Sequence, residues 1–538
     1  MDRPPAQPVA EVSDAFHVYD TTLRDGAQRE GIAYSVADKL AVAALLDGYG
    51  VGFIEGGWPG AMPKDTEFFA RAAAELDLKH AKLVAFGATR KAGVRAEDDP
   101  QVRALLDSQA PVVTIVAKSD VRHVTEALRT TLDENEAMVR DTVALLVGQG
   151  RRVFVDYEHF FDGYHHDPAY GVRLMLAAEE AGASVHVMCD TNGGMLPMGV
   201  SRVVADVLGR TGVRLGIHCQ DDTACAVANS VTGVEAGVTH VQCTANGYGE
   251  RTGNADLFAV VANLETKLGM RVLPEGKLRE TVRVSHAIAE IANLKPDTHQ
   301  AYAGVSSFAH KAGLHASAIR ISPELYNHID PEVVGNDMRV LVTEMAGRAS
   351  IELKGRELGY DLSADPDALG RVVERVKGLE AKGWTFEAAD GSFELLLLEE
   401  TGRRPRHFEV ESWRAIVEQR PDGEVVSEAT VKVHAGGERV ITTGEGNGPV
   451  NALDNALRAA LTQIYPELEK LELTDYKVRI LDQGAKGTGA VTRTLIETSN
   501  GQQRWNTVGV HENVIAASWL ALEDAVDLGL LRAGVATD

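Results

Sequence analysis

At 538 residues, 44% hydrophobic and 25% charged, the chain is too long for one ordinary domain and long enough for a barrel-sized core with appendages. No apolar run approaches the roughly 20 residues that a membrane-spanning helix needs, which excludes a membrane role and points to a soluble globular protein. The net charge of −24 works against loose binding to nucleic acid and favours small-molecule partners, while leaving room for local basic pockets.

Met1 to Val12 is rich in Pro and Ala and lacks both a basic start and an apolar signal core. Residues 1–14 therefore read as a disordered lead-in, with a cytoplasmic location expected for the rest. Cys189, Cys219, Cys225 and Cys243 form no Cys-x-x-Cys pair and mostly lie in apolar runs, the pattern of reduced, buried thiols.

From Phe16 to about Met270, short β-branched runs alternate with longer amphipathic stretches, the pattern of βα units around a parallel sheet. Eight strands are expected, at Phe16–Asp20, Val51–Glu55, Lys82–Phe86, Val112–Val116, Arg152–Asp156, Val185–Cys189, Arg214–His218 and Thr239–Cys243. Helices follow them, for example over Val36–Tyr49 and Thr223–Ala236. Eight such units suit a closed (β/α)8 TIM barrel, whose chemistry sits at the C-terminal strand ends. The barrel is expected to span residues 15–275 and helical linker subdomains residues 276–392. An α+β regulatory domain fills 393–538, with strands over Phe408–Gln419, Ala429–Val433 and Tyr476–Leu481 and helices over Val450–Gln463 and Glu512–Leu528.

Arg24 and Asp25 follow the first strand, where a carboxylate can hold a metal and a guanidinium can polarise a carbonyl; a surface salt bridge is the plainer alternative. His218 and Gln220 are two apart on an extended run and so face the same way. Asp25, His218 and a further oxygen suit Mg²⁺ or Mn²⁺, with zinc as an alternative. Asn246 to Asn254 packs three glycines among polar groups, which lets backbone and side chains crowd a ligand or simply closes a tight loop. Gly444 to Asp454 joins a strand to a helix through a glycine-rich turn whose N–H groups could meet a carboxylate; turn formation alone would also explain it.

Taken in order, Asp20-Thr21-Thr22-Leu23-Arg24-Asp25-Gly26-Ala27-Gln28, Asn246 to Asn254 and the C-terminal glycine-rich motif resemble the 2-isopropylmalate, homocitrate and citramalate synthase family, acetyl-CoA-dependent enzymes of the DRE-TIM metal-binding group. The resemblance implies that Arg24 stabilises charge on a 2-oxo acid, and that Asp25, His218 and Asn254 form the metal shell, with Gln220 an uncertain fourth member. It implies substrate contacts at Asp156, Glu158, Thr191 and Glu250, with Glu158 also a candidate in proton transfer. His315 and Tyr326 match residues that reach a neighbouring subunit's active site, which implies a homodimer with shared sites. Gly446, Gly448, Asn451 and Asp454 become candidates for effector binding. One departure stands out: His218-Cys219-Gln220-Asp221-Asp222 replaces the family's His-x-His-Asn-Asp, so Gln220, a water or Asp221 must fill the second histidine's place if metal is retained.

Within the family, Glu158 to Tyr164, Phe308 to Lys311 and Trp505 to Val510 look most like the citramalate-forming branch. That likeness implies an acyltransferase joining acetyl-CoA to pyruvate in isoleucine biosynthesis, with isoleucine as feedback effector. A larger 2-oxo acid as acceptor, and a catalytically altered homologue serving regulation, are the alternatives.

Overall fold

The computed structural model describes residues 14–311, 313–319, 321–342, 347–362, 365–481 and 489–536. The expected lead-in at 1–14 lies outside them except for Asp14. By its internal contacts the chain divides into two units: residues 1–308 with 329–337, and residues 309–328 with 338–538.

The first unit is a closed parallel barrel in the order β1 (His17–Asp20), β2 (Phe53–Gly57), β3 (Lys82–Ala88), β4 (Val112–Lys118), β5 (Arg152–Glu158), β6 (Val185–Asp190), β7 (Leu215–Cys219) and β8 (His240–Cys243). Closure is direct: β1 pairs with β2 through Tyr19↔Phe53 and with β8 through His17↔His240 to Asp20↔Cys243. All eight expected strands are present, each end within two residues of its predicted position. The helix Val36–Tyr49 begins at Ser35, whose side chain accepts from Asp38 N while Asp38 caps in return, and ends at Gly50 with φ +100°. That capping box and left-handed glycine terminate the helix at both ends in the way the sequence pattern requires.

Inward-facing residues fill the barrel's lower interior. Tyr19, Phe53, Phe154 and the imidazoles of His17 and His240 pack ring against ring, with the Phe53 and Phe154 centroids 5.2 Å apart and Phe154 to His240 also 5.2 Å. Gly216 on β7 makes room for this packing, since a Cβ there would sit 2.9 Å from the His240 ring. Above this layer the Tyr19 hydroxyl donates to Glu55, which begins the polar layer at the C-terminal strand ends.

In the second unit, β9 (Ala309–His310) and β10 (Arg339–Val340) form a small parallel pair. Beyond the helices 348–357, 366–380 and 390–400 come two βββα repeats. β11 (Phe408–Gln419), β12 (Val425–Ala435) and β13 (Glu438–Gly446) form an antiparallel meander followed by the helix Pro449–Leu461. β14 (Glu472–Ile480), β15 (Thr492–Ser499) and β16 (Arg504–His511) repeat it, followed by the helix Val514–Arg532. Both repeats place glycine on the third strand where the helix crosses: a Cβ at Gly444 would lie 2.5 Å from Ala456 N, and at Gly509 2.0 Å from Ala517 O. β13, β15 and β16 were not expected from sequence, because Thr and Gly occupy much of their inner faces and dilute the strand signal. Among the described residues, no helix is long and apolar enough to cross a membrane.

Candidate active site at the barrel mouth

The sharp turn after β1 carries Arg24 and Asp25 to the mouth, tied back by Gly26 N donating to Thr21 O at 3.0 Å. Arg24 is held from two sides. Its Nε donates to Glu55 Oε1 at 2.5 Å, and its guanidinium lies 4.0 Å from the Phe86 ring centroid. A buried carboxylate and an aromatic face fix a planar cation in one orientation far better than either alone. The remaining guanidinium edge turns toward Asp25, with Nη1 3.8 Å from Oδ2.

Asp25 is buried and faces three groups. His218 Nε2 lies 3.2 Å and Gln220 Nε2 3.4 Å from its Oδ2, and Asn254, whose Nδ2 donates to Tyr248 O at 2.9 Å, is close enough to act on it as well. Burial alone would raise the Asp25 pKa, but Arg24, His218 and Asn254 together hold the carboxyl well below the usual range. For His218 the balance runs upward: burial lowers its pKa, and the stronger pull of Asp25 raises it above the ordinary value. Its orientation is set from behind, where Nδ1 lies 2.9 Å from Gln242 Oε1, and Gln242 Nε2 donates to Asp156 Oδ1 at 2.8 Å. Burial and nearby Glu55 push Asp156 up to about 7.

The loop after β8 docks along the end of β7. Asp221 N donates to Gly253 O at 2.9 Å and Ala255 N to Cys219 O at 3.0 Å, so that Gln220 and Asn254 form an isolated antiparallel bridge. Gly249, at φ +154°, is what the close fit requires: a Cβ there would fall 2.2 Å from Asn254 Nδ2. The three-glycine reading of this loop therefore has a specific cause.

These contacts test whether a divalent metal fits. Gln220 Oε1 and Asn254 Oδ1 are buried and have no hydrogen-bond partner, an arrangement that buried amides avoid unless something else satisfies them. The two side chains flank Asp25 and His218, with Gln220 turning its Nε2 toward both at 3.4 Å. A half-turn of the Gln220 amide, which exchanges atoms of similar size, would direct its oxygen to Asp25 and His218. Among the described residues no three His, Cys, Asp or Glu side chains form a metal cluster. Asp221 is engaged elsewhere, accepting from Ala226 N at 2.8 Å, and Asp222 pairs with Arg251 at 2.8 Å. The donor set fits a cation that accepts oxygen ligands.

The other expected residues fall in three places. Glu158 ends β5 and forms an ion pair with Lys118. The Thr191 hydroxyl accepts from His159 N at 2.8 Å and its carbonyl accepts from Arg251 at 2.9 Å, linking the loops after β5, β6 and β8. Asp156 is buried behind His218 as described, and Glu250 is exposed on the β8 loop. In the second unit, His315 and Tyr326 stack with centroids 4.1 Å apart, and His310 lies 6.4 Å and 6.5 Å from them. In the first βββα repeat, Gly446 ends β13 and a Cβ there would meet Ala452 N at 2.6 Å. Gly448 precedes the helix, Asn451 Oδ1 accepts from Asn447 N at 3.2 Å, and Asp454 pairs with Arg458 at 2.8 Å. Glu55, Phe86 and Gln242 were not singled out from the sequence; the signal for the first was an acid ending an apolar strand run.

A closed parallel barrel with an oriented arginine and a carboxylate, imidazole and amide set at its C-terminal end has the layout of a barrel enzyme with its chemistry at the strand ends. Comparison with known families agrees. The HMGL-like family matches residues 15–288, the homocitrate synthase post-HMGL domain-like family residues 303–383, and the LeuA allosteric (dimerisation) domain residues 387–530. The (R)-citramalate synthase of Streptomyces coelicolor is 68% identical over 98% of this chain and 99% of its own length, and that of Aquifex aeolicus 44% identical over 97% and 99%. A 2-isopropylmalate synthase of Shewanella baltica is 29% identical over 96% of both chains. The chain belongs to the HMGL-like enzymes and, within them, to the (R)-citramalate synthase family.

Proposed function

We propose that this chain condenses acetyl-CoA with pyruvate and hydrolyses the thioester to give (R)-citramalate and CoA. The observation that carries the reading is near-full-length identity of 44–68% to several (R)-citramalate synthases, against 29% to a 2-isopropylmalate synthase. The mouth geometry supports the same chemistry.

Asp25, His218, Asn254 and Gln220 would hold the divalent metal, and when bound it supplies Lewis-acid polarisation of the 2-oxo carbonyl. Oxygen-rich donors favour Mg²⁺ or Mn²⁺, with zinc the alternative. Arg24, kept in one pose by Glu55 and Phe86, donates to the 2-oxo oxygen as negative charge develops there. Gln242 Oε1 accepts a hydrogen bond from His218 Nδ1–H and leaves Nε2 as the nitrogen facing the site. Glu158 or His315 takes a methyl proton from acetyl-CoA, the resulting carbanion carbon bonds to the ketone carbon, and water then cleaves the C–S bond. Thr191 and Glu250 line the substrate's approach, and Asp156 acts on it through Gln242 and His218. His315 and Tyr326 serve the mouth of a neighbouring subunit in a homodimer.

Residues 15–275 form the catalytic part, 276–392 the linker subdomains and 393–538 the regulatory part, in a cytoplasmic enzyme of isoleucine biosynthesis. Isoleucine is the proposed effector, with Gly446, Gly448, Asn451 and Asp454 as candidates for its site. The test is CoA release from acetyl-CoA, followed by thiol titration, with pyruvate, 2-oxoisovalerate and 2-oxoglutarate. Turnover with pyruvate, inhibited by isoleucine, is expected. Preference for 2-oxoisovalerate would overturn the acceptor assignment, and no turnover with any of the three would overturn the enzyme reading.

A further inference from the structure

Away from the barrel, the second βββα repeat carries a charge arrangement that its packing does not require. β14 and β15 pair antiparallel with Arg479 directly opposite Arg493 and Lys477 opposite Leu495. One face of this sheet meets the helix 514–532, where the Tyr476 hydroxyl lies 2.7 Å from Ser518 Oγ. Side chains alternate along a strand, so Lys477, Arg479 and Arg493 share the opposite face. There they line a cavity of about 550 Å³, walled by Thr385, Glu387 and Ala388 and by the apolar Val478 and Leu495.

Like charges placed directly across a strand pair destabilise a sheet, and in a chain of net charge −24 acidic partners are abundant. Of the nearby acids, Asp475 pairs with Lys477, Glu387 pairs with Lys311 at 2.7 Å, and Glu380 Oε1 accepts from Phe386 N at 3.3 Å. Arg493 is anchored by its Nε, which donates to Gly383 O at 2.6 Å. Among the described residues its terminal nitrogens have no hydrogen bond, and Arg479 has no ion pair. Burial, with the neighbouring Arg479, lowers the Arg493 pKa against the opposing pull of Glu380.

We propose that this cavity binds a small organic anion, whose carboxylate or phosphate bridges Arg479 and Arg493 while its carbon skeleton lies against Leu495. Paired guanidiniums present parallel N–H donors to an oxyanion, and a bridging anion would turn the cross-strand repulsion into attraction. The site is independent of the barrel mouth and does not rest on the reaction assigned there.

The full-length protein is titrated calorimetrically with inorganic phosphate and, separately, with 2-methylbutyrate, each against chloride at equal ionic strength. Saturable binding of at least one probe is expected, weakened about tenfold or more in Arg479→Gln and in Arg493→Gln, the scale of one lost charge-assisted hydrogen bond. Without a probe, Arg479→Gln should melt no lower than the parent chain, because a like-charge contact has been removed. Which probe binds tells phosphate from carboxylate as the recognised group. Absence of binding by both probes, or binding undiminished in both variants, would overturn the proposal.

Discussion

The two ends of the barrel are built from the same strands and solve opposite problems. At the floor, His17, Tyr19, Phe53, Phe154 and His240 pack as rings, with His17 Nδ1 3.1 Å from His240 Nδ1. At the mouth, Asp25, His218, Gln220 and Asn254 are brought together with two amide oxygens left without partners. The floor is closed by ring packing, with His240 Nε2 its one ring nitrogen without a hydrogen-bond partner among the described residues, and should govern stability. The mouth is incomplete on its own, as a site awaiting a ligand is, and should govern turnover.

Substitutions can separate the two ends. The largest effect is expected for Asp25→Asn, which removes the only carboxylate among the four proposed donors: CoA release should fall below detection while the circular dichroism spectrum is unchanged. Phe154→Ala acts at the other end. Deleting a buried ring should lower unfolding free energy by about 3–5 kcal/mol, measured by urea denaturation, while the folded fraction keeps a kcat close to that of the parent.

The floor also predicts a pH dependence. Burial, helped by the nearby arginines Arg214 and Arg152, lowers the His17 pKa to about 4 despite its partner Asp14. The unfolded chain therefore binds a proton near the ordinary histidine value while the folded chain refuses it. The contribution to stability is full above that value and is lost as pH falls toward 4, on the order of 3 kcal/mol in all. Urea midpoints measured across that interval should decline in the parent and decline less in His17→Gln. The smallest effect is expected at the mouth for Gln220→His, which restores the residue usual in the wider family. Activity should hold or rise, and zinc should bind more tightly relative to Mn²⁺; a large loss would mean that the glutamine has a role of its own.

The comparison also shows what the sequence could reveal. Strand count and order were legible because each barrel strand is a short apolar run flanked by an amphipathic helix. Arg24, Asp25 and His218 were legible because chemistry in a barrel collects just past the strand ends. Glu55 and Gln242 were not, since each matters only through a partner on another element: Glu55 through Arg24, Gln242 through His218 and Asp156. The fit of Asn254 beside Gln220 was half legible. The glycines marked a crowded loop, but only the bridge between residues 220 and 254 shows what they crowd against. In the second unit, β13, β15 and β16 escaped because Thr and Gly occupy much of their inner faces, as at Thr442, Gly444, Thr494, Thr507 and Gly509, and weaken the apolar alternation.

The most direct test of a metal-dependent mouth is CoA release with acetyl-CoA and pyruvate after chelator treatment, followed by separate return of Mg²⁺, Mn²⁺ and Zn²⁺. The predicted result is loss of turnover on stripping and recovery with Mg²⁺ or Mn²⁺ in the parent chain but not in Asp25→Asn. Full turnover in the stripped enzyme, or recovery in Asp25→Asn equal to that of the parent, would contradict it.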